Sequence, residues 1–341
     1  MKENSEWPGF ETIMKRRGKM KNAGVIICVV LSFFLGVVSS FAAETGDFPN
    51  RPIEMVFAYP PGGGTDSSFL PFKDAAGKAL GQPIVNVYKP GAAGGVGAAY
   101  AANAKPDGYT LTIASPSNFI VLPLTKDMGY TLDSFTPVCN LSETRNYFLV
   151  RENSPYKTIA DFFEAAKKKK MTYASPGANT TSHIVMEALS RQLGIQLIHV
   201  PYSGGSTAFT AVLGGHADIG IAGGSLGMAA PGKLRAIAVT GDKRFAISPD
   251  VPTLKEFGSF PSGAIFYGVW APKGTPEPII NKLYQAFKRV SEENRDQSAK
   301  ILMGAEQAPC FLGPAETGKL FQEDNIFYKK ILGDMGLLIK R

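Results

Sequence analysis

The sequence has few of the residue types that build disulfide frameworks and metal centres. It contains three cysteines and three histidines in 341 residues. One cysteine lies in an apolar N-terminal run, and the other two, Cys139 and Cys310, are 171 positions apart, which gives no disulfide framework. We expect these two to be isolated buried thiols. His199 and His216 lack metal-ligand spacing with His183. The sequence therefore predicts neither a disulfide scaffold nor a metal site.

A strong excess of one charge is also missing. The formal net charge is +7, and it falls to +4 without residues 1–42, which hold six Lys/Arg and three Asp/Glu. No dense basic patch with interleaved aromatic residues occurs, so binding to nucleic acid is not indicated. A mild positive balance suits an anionic small ligand.

The N-terminus carries the pattern of an export signal. Basic residues at positions 15–21 precede an apolar run at 25–38, and Ser40-Phe41-Ala42 offers small residues for a signal peptidase. The run of 14 residues is shorter than the roughly 20 that a membrane-spanning helix needs, which disfavours the alternative of a membrane anchor. We predict a signal peptide over residues 1–42, cleavage after Ala42 and a periplasmic mature protein.

Two glycine-rich loops are the most informative feature of the remaining chain. Residues 59–66 read Tyr-Pro-Pro-Gly-Gly-Gly-Thr-Asp, and residues 174–183 read Ala-Ser-Pro-Gly-Ala-Asn-Thr-Thr-Ser-His. Each follows a strand-like run and precedes a helix-like stretch. Glycine lets the backbone approach a ligand, and a helix start offers unpaired N–H groups and a positive dipole end. Two such loops predict a two-lobed receptor that closes on an organic anion.

Neither loop matches a cofactor motif. The triple glycine at 62–64 lacks the Gly-Lys-Ser/Thr ending of a nucleotide P-loop. A third glycine-rich turn at 91–97 lacks dinucleotide-binding spacing, and we interpret it as a place where a helix packs closely on a strand. No cofactor is predicted.

Strand-like and helix-like segments alternate along the chain, which predicts an α/β fold. Strands are expected at 52–59, 84–87 and 109–114, with a helix from near Ser68 to Gly81 and another over 96–104. A second unit begins near Asn146 and includes a helix capped by Thr158. Further strands and helices alternate from there to a proline-initiated helix at 276–290.

These segments occur in an order and spacing that resemble one receptor family. In sequence order, the matching motifs stand at residues 48–53, 59–66, 89–95, 106–111, 173–177, 200–204, 214–218, 232–239, 249–254 and 270–276. The chain is similar to the extracytoplasmic receptors of tripartite tricarboxylate transporters, also called Bug proteins. Two stretches depart from the family pattern, namely residues 69–71 and the short, glycine-rich segment 218–232.

The resemblance implies a Venus-flytrap fold of the periplasmic-binding-protein type, with two mostly parallel sheets flanked by helices and two hinge crossovers. The lobes would comprise residues 43–145 with 263–341, and residues 146–262. It implies a receptor, not an enzyme, that captures a small organic carboxylate and delivers it to the large and small permease subunits of a membrane transporter.

The candidate ligand-binding residues come from the two loops and from strand ends near the expected cleft. We interpret Asp66 as a helix N-cap that shapes the first loop, and Asp218, Ser115 and Asn118 as either ligand contacts or turn caps. The full set is Tyr59, Gly62, Gly63, Gly64, Thr65, Asp66, Ser115, Asn118, Ser175, Gly177, Asn179, Thr180, Thr181, His183, Tyr202 and Asp218.

Two other functions remain open from the sequence. The same fold and site could serve a ligand sensor acting through a membrane kinase. A secreted hydrolase would need a nucleophile and a base, for which Ser175 and His183 are the candidates. No Gly-x-Ser-x-Gly elbow surrounds Ser175, so a structural histidine at the helix start is the favoured interpretation.

Overall fold

The computed structural model describes residues 47–224, 232–258 and 263–340. Residues Pro49–Arg341 form one compact unit, and the description below concerns that unit. The predicted signal peptide and its cleavage site lie outside the described residues. Within the described ranges, no helix has the length and apolar character needed to cross a membrane.

Eleven strands in the described chain form two mixed sheets. The first sheet has six strands in the order β11-β4-β10-β3-β1-β2, and the second has five in the order β7-β6-β8-β5-β9. Their bounds are β1 Ile53–Phe57, β2 Ile84–Tyr88, β3 Thr110–Ala114, β4 Phe135–Thr144, β5 Asn146–Arg151, β6 Met171–Ser175, β7 Leu197–Pro201, β8 Ile219–Gly223, β9 Leu234–Val239, β10 Ile265–Pro272 and β11 Ala308–Leu312.

Helices connect and flank these strands. Described α-helices are α1 Gly64–Phe69, α2 Lys73–Leu80, α3 Gly95–Ala102, α4 Leu122–Thr125, α5 Ile159–Lys168, α6 Thr181–Leu193, α7 Gly205–Leu213, α8 Glu277–Glu293, α9 Arg295–Met303 and α10 Pro314–Asp334. Short 3-10 turns occupy Ala92–Gly94, Leu132–Ser134 and Leu254–Phe257, and a π-helical turn spans Ser117–Val121.

The predicted α/β fold with two sheets flanked by helices is confirmed, but the sheets are mixed and not mostly parallel. In the first sheet, β1 pairs in parallel with β2 and β3, whereas β4, β10 and β11 run antiparallel to their neighbours. In the second sheet, β6 pairs in parallel with β7 and β8, and β5 is antiparallel to β8 and β9. Strands of the second sheet all come from one continuous stretch, residues 146–239. The division into lobes with the predicted boundaries remains a proposal.

The chain passes between the sheets at Arg145 and again between β9 and β10. Hydrogen bonds tie the two passages together. The Asn146 N–H donates to Thr240 Oγ1 over 3.0 Å, and the Thr240 N–H donates to the Asn146 carbonyl over 3.0 Å. Ser182 Oγ of α6 donates to Asn146 Oδ1 over 2.6 Å. The first residues of α6 are therefore bonded directly to the crossing point.

Several local sequence signals correspond to the observed elements. Thr158 caps α5 through a reciprocal bond with Asp161, and Gly81 ends α2 with a φ of 75°. The glycine turn at 91–97 does allow close packing, because a Cβ on Gly97 would lie 2.7 Å from the Ala58 Cα. This contact holds α3 against the chain that leaves β1.

One predicted helix was wrong in its extent. The stretch expected as a single helix from Ser68 to Gly81 forms α1 and α2, separated by residues 70–72. Pro71 lies in this break and explains it, because proline supplies no backbone N–H and clashes with the preceding turn of a helix. The first helix therefore begins at Gly64, inside the glycine loop, and not four residues later.

Candidate functional site

A small cavity lies where carboxyl ends of strands from both sheets meet. Its volume is about 40 Å3. The cavity lies at the carboxyl ends of the parallel strands β1 and β3 of the first sheet and β6 and β8 of the second. Open α/β sheets bind their ligands at such strand ends. The lining residues are Tyr59, Gly63, Gly64, Thr65, Ser115, Ser117, Pro176, Thr181, Ser182, Gly205, Gly223, Ile265 and Tyr267.

The first glycine loop presents its backbone to the cavity. Gly63 precedes α1 in an extended conformation, and a Cβ at this position would meet nothing nearer than the Pro60 carbonyl oxygen at 3.6 Å. Gly64 is different, because a Cβ there would collide with the Tyr267 side chain, 2.7 Å from its Cζ. The loop thus has one open glycine and one tightly packed glycine, and both line the cavity.

Thr65 contributes a buried hydroxyl to the same wall. The residue is 3% exposed, and its Oγ1 has no hydrogen-bond partner among the described residues. A buried polar atom without a partner costs free energy, on the order of 1–3 kcal/mol. An atom of this kind at a cavity wall is available to a polar ligand.

Asp66 shapes the first loop from behind. It is the third residue of α1, so Gly63 and not Asp66 is the N-cap. Its carboxylate accepts the Gly62 N–H over 3.0 Å and the Tyr88 hydroxyl over 2.5 Å. Asp66 and Gly62 are absent from the cavity wall, and their bond fixes the turn that brings Gly63 and Gly64 to it.

Hydroxyl groups that follow β3 form a second wall. Ser115 and Ser117 line the cavity beside Tyr59, whose hydroxyl donates to the Ala93 carbonyl over 2.8 Å. Burial raises the pKa of Tyr59 well above its usual value, although hydrogen bonding with Ser115 and Ser117 opposes the shift. The phenol therefore stays protonated at neutral pH. Asn118 braces this segment, because its Oδ1 accepts both the N–H and the hydroxyl of Ser115.

The start of α6 forms the wall on the side of the second sheet. Thr181 and Ser182 line the cavity, together with Pro176 from the second glycine loop and Gly205 from the start of α7. Ser117 Oγ accepts the Thr181 N–H over 3.1 Å and lies 3.0 Å from Thr181 Oγ1. This pair joins a residue that follows β3 to the first residue of α6, so it connects the two sheets at the cavity.

The rest of the second loop lies behind the cavity wall. Ser175 is fully buried, and its Oγ donates to the Gly177 carbonyl over 3.1 Å. Thr180 caps α6 by accepting the His183 N–H, and its hydroxyl donates to the same Gly177 carbonyl over 2.9 Å. Asn179 takes a φ of 60° and donates its N–H to His183 Nδ1. These hydrogen bonds, each between a side chain and a backbone group, set the path of the loop.

Two histidines stack behind this loop. The rings of His183 and His199 lie 4.3 Å apart, and His199 also stacks on Tyr173 at 4.7 Å. Burial lowers the pKa of His199 to about 4, and the neighbouring His183 adds to the shift. Burial lowers the pKa of His183 as well, against the attraction of Glu187. Both imidazoles are therefore neutral at pH 7.

The serine and histidine considered for a hydrolase are not paired. Ser175 Oγ contacts His199 Nε2 at 2.7 Å, whereas His183 Nδ1 accepts the Asn179 N–H. Ser175 has no exposed surface and does not line the cavity. A nucleophile must reach its substrate, so the described geometry argues against the hydrolase hypothesis.

Two predicted site residues lie elsewhere. Asp218 precedes β8 at its amino end, opposite the edge that carries the cavity, and its carboxylate accepts the N–H and the hydroxyl of Thr172, each over 2.8 Å. The expectation that Asp218 ends a strand at the cleft was wrong, because the strand starts after it. Tyr202 packs against the hydrophobic cluster of the second sheet that contains Ala208 and Phe209.

The structure adds cavity residues that the sequence did not single out. Ser117 stands just beyond the strand predicted at 109–114, and Gly223 is the last residue of β8, so the strand-end rule could have found them. Ile265 and Tyr267 come from β10, and no local motif marks them. Among the described residues, the additions are Ser117, Pro176, Ser182, Gly205, Gly223, Ile265 and Tyr267.

The electrostatic character of the cavity favours an anion. The first residues of α6 and α7 line it, so the positive ends of both helix dipoles lie beside it. Hydroxyls of serine, threonine and tyrosine line it as well. In the described ranges, no group of three His, Cys, Asp or Glu side chains could hold a metal ion.

Comparison with known proteins places the chain in a family. The model of the tripartite tricarboxylate transporter family receptor matches residues 71–337. A Cupriavidus necator protein named "UPF0065 protein in gbd 5'region" is 35% identical over 332 residues, which cover 95% of this chain and 99% of the relative.

Two solved structures share the fold along most of the chain. MatC from Rhodopseudomonas palustris, solved with bound malate, has 28% identity and a TM-score of 0.75, with 84% of this chain and 100% of that chain covered. A second R. palustris protein, solved with adipate, has 25% identity and a TM-score of 0.78, with coverage of 85% and 99%. The chain therefore belongs to the receptor family of tripartite tricarboxylate transporters, a family of periplasmic solute-binding proteins.

Proposed function

We propose that this protein is a periplasmic receptor that binds a small organic carboxylate in the cavity between its two sheets and passes it to a membrane permease. The observation that supports the proposal most directly is the convergence of helix starts and hydroxyl groups from both sheets on one cavity. A carboxylate can accept several such bonds at once, and charge-assisted bonds contribute about 1.5–3 kcal/mol each.

The origin of the lining residues supports a mechanism of closure. Gly63, Gly64, Thr65 and Ser117 belong to the first sheet and its connections, and Thr181 and Ser182 belong to the second. A ligand that touches both groups stabilises the arrangement in which they are close, and so shifts an open–closed equilibrium. No covalent step is needed, so the proposed role is binding without catalysis.

The solved relatives support the ligand class. One holds malate and the other adipate, and both are dicarboxylates. We propose a carboxylate for this chain as well, carried to permease subunits of the tripartite type. Export through the predicted signal peptide would place the receptor in the periplasm.

Isothermal titration calorimetry of the purified protein against mono-, di- and tricarboxylates tests the proposal. We expect one saturable binding event and no product in the recovered ligand. A ligand at 100 times its dissociation constant adds about 2.7 kcal/mol to the free energy of unfolding, which a thermal-shift screen detects. A flat screen with folded protein would contradict a carboxylate ligand.

The variant Gly63→Leu tests whether the ligand binds in the cavity. Gly63→Leu places a bulky side chain where a Cβ has room, so we expect a folded protein that no longer binds. The control is Gly318→Ala on α10, which faces Pro137 and lines no part of the cavity. Full affinity in the folded Gly63→Leu variant would remove the first loop from the site. Uptake of the identified ligand by cells with and without the permease genes then separates transport from sensing.

A further inference from the structure

Tyr267 forms a wall of the cavity from the strand that returns to the first sheet. It lies on β10, opposite Ser142 of β4, and it is 4% exposed. Its side chain crosses toward the second sheet, where its hydroxyl donates to the Gly223 carbonyl over 3.1 Å at the end of β8. One aromatic side chain therefore spans the space between the first glycine loop and the end of β8.

Glycines on both sides make room for this ring. A Cβ on Gly64 would collide with the phenol, 2.7 Å from the Cζ atom and closer still to the hydroxyl. On the other side, a Cβ on Gly223 would lie 3.4 Å from the same hydroxyl and in collision with the Ile265 Cδ1. The ring is thus tightly packed on the sides that face Gly64 and Gly223, and the Ile265 side chain is tightly packed against Gly223.

The hydroxyl of Tyr267 is not available to donate to a carboxylate. Its proton points to the Gly223 carbonyl, and burial raises the pKa of the phenol far above the usual value. A carboxylate oxygen needs donors, and a phenol has only one. Tyr267 therefore affects an anionic ligand through the space that its ring occupies, and not by donating a hydrogen bond.

We propose that Tyr267 sets the length of the ligand that this receptor accepts and limits it to short-chain carboxylates. The proposal rests on the function proposed above. With the ring in place the cavity measures about 40 Å3, and the ring, held between Gly64 and Gly223, closes it on that side. A ring packed on both sides cannot move aside for added methylene groups, and one methylene group that must fit against such a wall changes affinity by about 10-fold or more.

Calorimetry with a series of acids tests the proposal. The ligands are acetate and the straight-chain dicarboxylates from malonate to adipate, titrated into the wild type, Tyr267→Ala and Tyr267→Phe. We expect the wild type to prefer short members. In Tyr267→Ala the ratio of the adipate to the malonate dissociation constant should fall by about 10-fold or more. Tyr267→Phe keeps the ring, so its ratio should equal that of the wild type.

The outcomes separate the two proposals. A wild type that binds some of these acids, with the same length preference in folded Tyr267→Ala, would overturn the role of Tyr267 and leave the receptor function standing. A folded wild type that binds none of them would overturn both. If Tyr267→Ala does not fold, Tyr267→Leu gives the same test, because it also removes the ring and keeps an apolar side chain. A changed preference in Tyr267→Phe would show that the hydroxyl and not the ring selects the ligand.

Discussion

The two glycine-rich loops look alike in sequence, yet the structure gives them different tasks. Residues 63–65 of the first loop line the cavity directly. In the second loop, Pro176 lines the cavity. Gly177 instead packs closely against Ala93, because a Cβ on Gly177 would lie 3.1 Å from the Ala93 Cβ. The Ser175 and Thr180 hydroxyls both donate to the Gly177 carbonyl. The first loop offers its own backbone, and the second positions the start of α6.

This difference shows that a glycine can signal either a ligand contact or a close contact within the protein. Gly64 is packed against Tyr267, and Gly63 has open space beside it, although the two are neighbours. Gly177 needs its positive φ of 138°, which other residues rarely adopt. The following experiments test the contrast, from the largest expected effect to the smallest.

Gly64→Ala should have the largest effect. The added methyl group collides with the Tyr267 ring and the Gly223 carbonyl, so we expect a loss of about 1–3 kcal/mol in the free energy of unfolding and loss of carboxylate binding. Urea denaturation and calorimetry measure the two effects. Gly63→Ala is the matched control, since its methyl group has room, and its stability should stay within about 0.5 kcal/mol of the wild type. Equal destabilisation by Gly64→Ala and Gly63→Ala would contradict the conclusion that Gly64 is tightly packed and Gly63 is not.

Gly177→Ala should weaken binding through the second loop. The substitution forces a positive φ on alanine and presses it against Ala93, at a cost of about 1–3 kcal/mol. Because the residue does not line the cavity, affinity should fall less than in Gly64→Ala. Gly194→Ala is the control, with a positive φ of 62° and nothing within 4 Å of its Cβ. If Gly177→Ala costs no more than Gly194→Ala, the packing of the second loop is unimportant.

Acid should destabilise the protein through the two histidines behind the second loop. Burial keeps His183 and His199 neutral, so the unfolded chain binds more protons than the folded one below the usual histidine pKa of about 6.5. The free energy of unfolding is therefore retained above about pH 6.5, and it falls as the pH drops toward the pKa of His199 in the folded protein, about 4. Protonated His183 could not accept the Asn179 N–H, and two charged rings 4.3 Å apart would repel.

Melting temperatures between pH 7 and pH 4 measure this effect. His199→Gln should flatten the pH dependence, and the exposed His216→Gln is the control that should leave it unchanged. An unaltered profile in His199→Gln would show that other groups cause the acid sensitivity.

Thr65→Val should have the smallest effect on stability and a clear effect on binding. It removes a buried hydroxyl that has no partner in the described chain, so the free energy of unfolding should stay level or rise. Loss of a hydrogen bond to a charged ligand should weaken affinity by about 10-fold. Thr181→Val is the comparison in the second loop, and it should also reduce stability, because its hydroxyl contacts Ser117. Unchanged affinity in Thr65→Val would mean that the ligand does not use this hydroxyl.

The sequence predicted the part of the cavity wall that lies close along the chain. Tyr59, Gly63, Gly64 and Thr65 were identified because a strand, a glycine loop and a helix start follow one another there. The same rule identified Thr181, but it also selected Ser175 and Asn179, which the structure places behind the wall. Loop composition alone does not distinguish a side chain that faces a ligand from one that bonds within the loop.

Fold class, alternation of strands and helices, and the order of the glycine loops were determined by the sequence itself, because periodicity, caps and turns depend on neighbouring residues. Only the tertiary structure decided that β10 brings Tyr267 and Ile265 to the cavity and that Ser117 meets Thr181. These contacts join residues dozens to hundreds of positions apart, and they depend on strand order and on how two sheets approach each other. Local chemistry could suggest an anion site, but the packing between the sheets set its size.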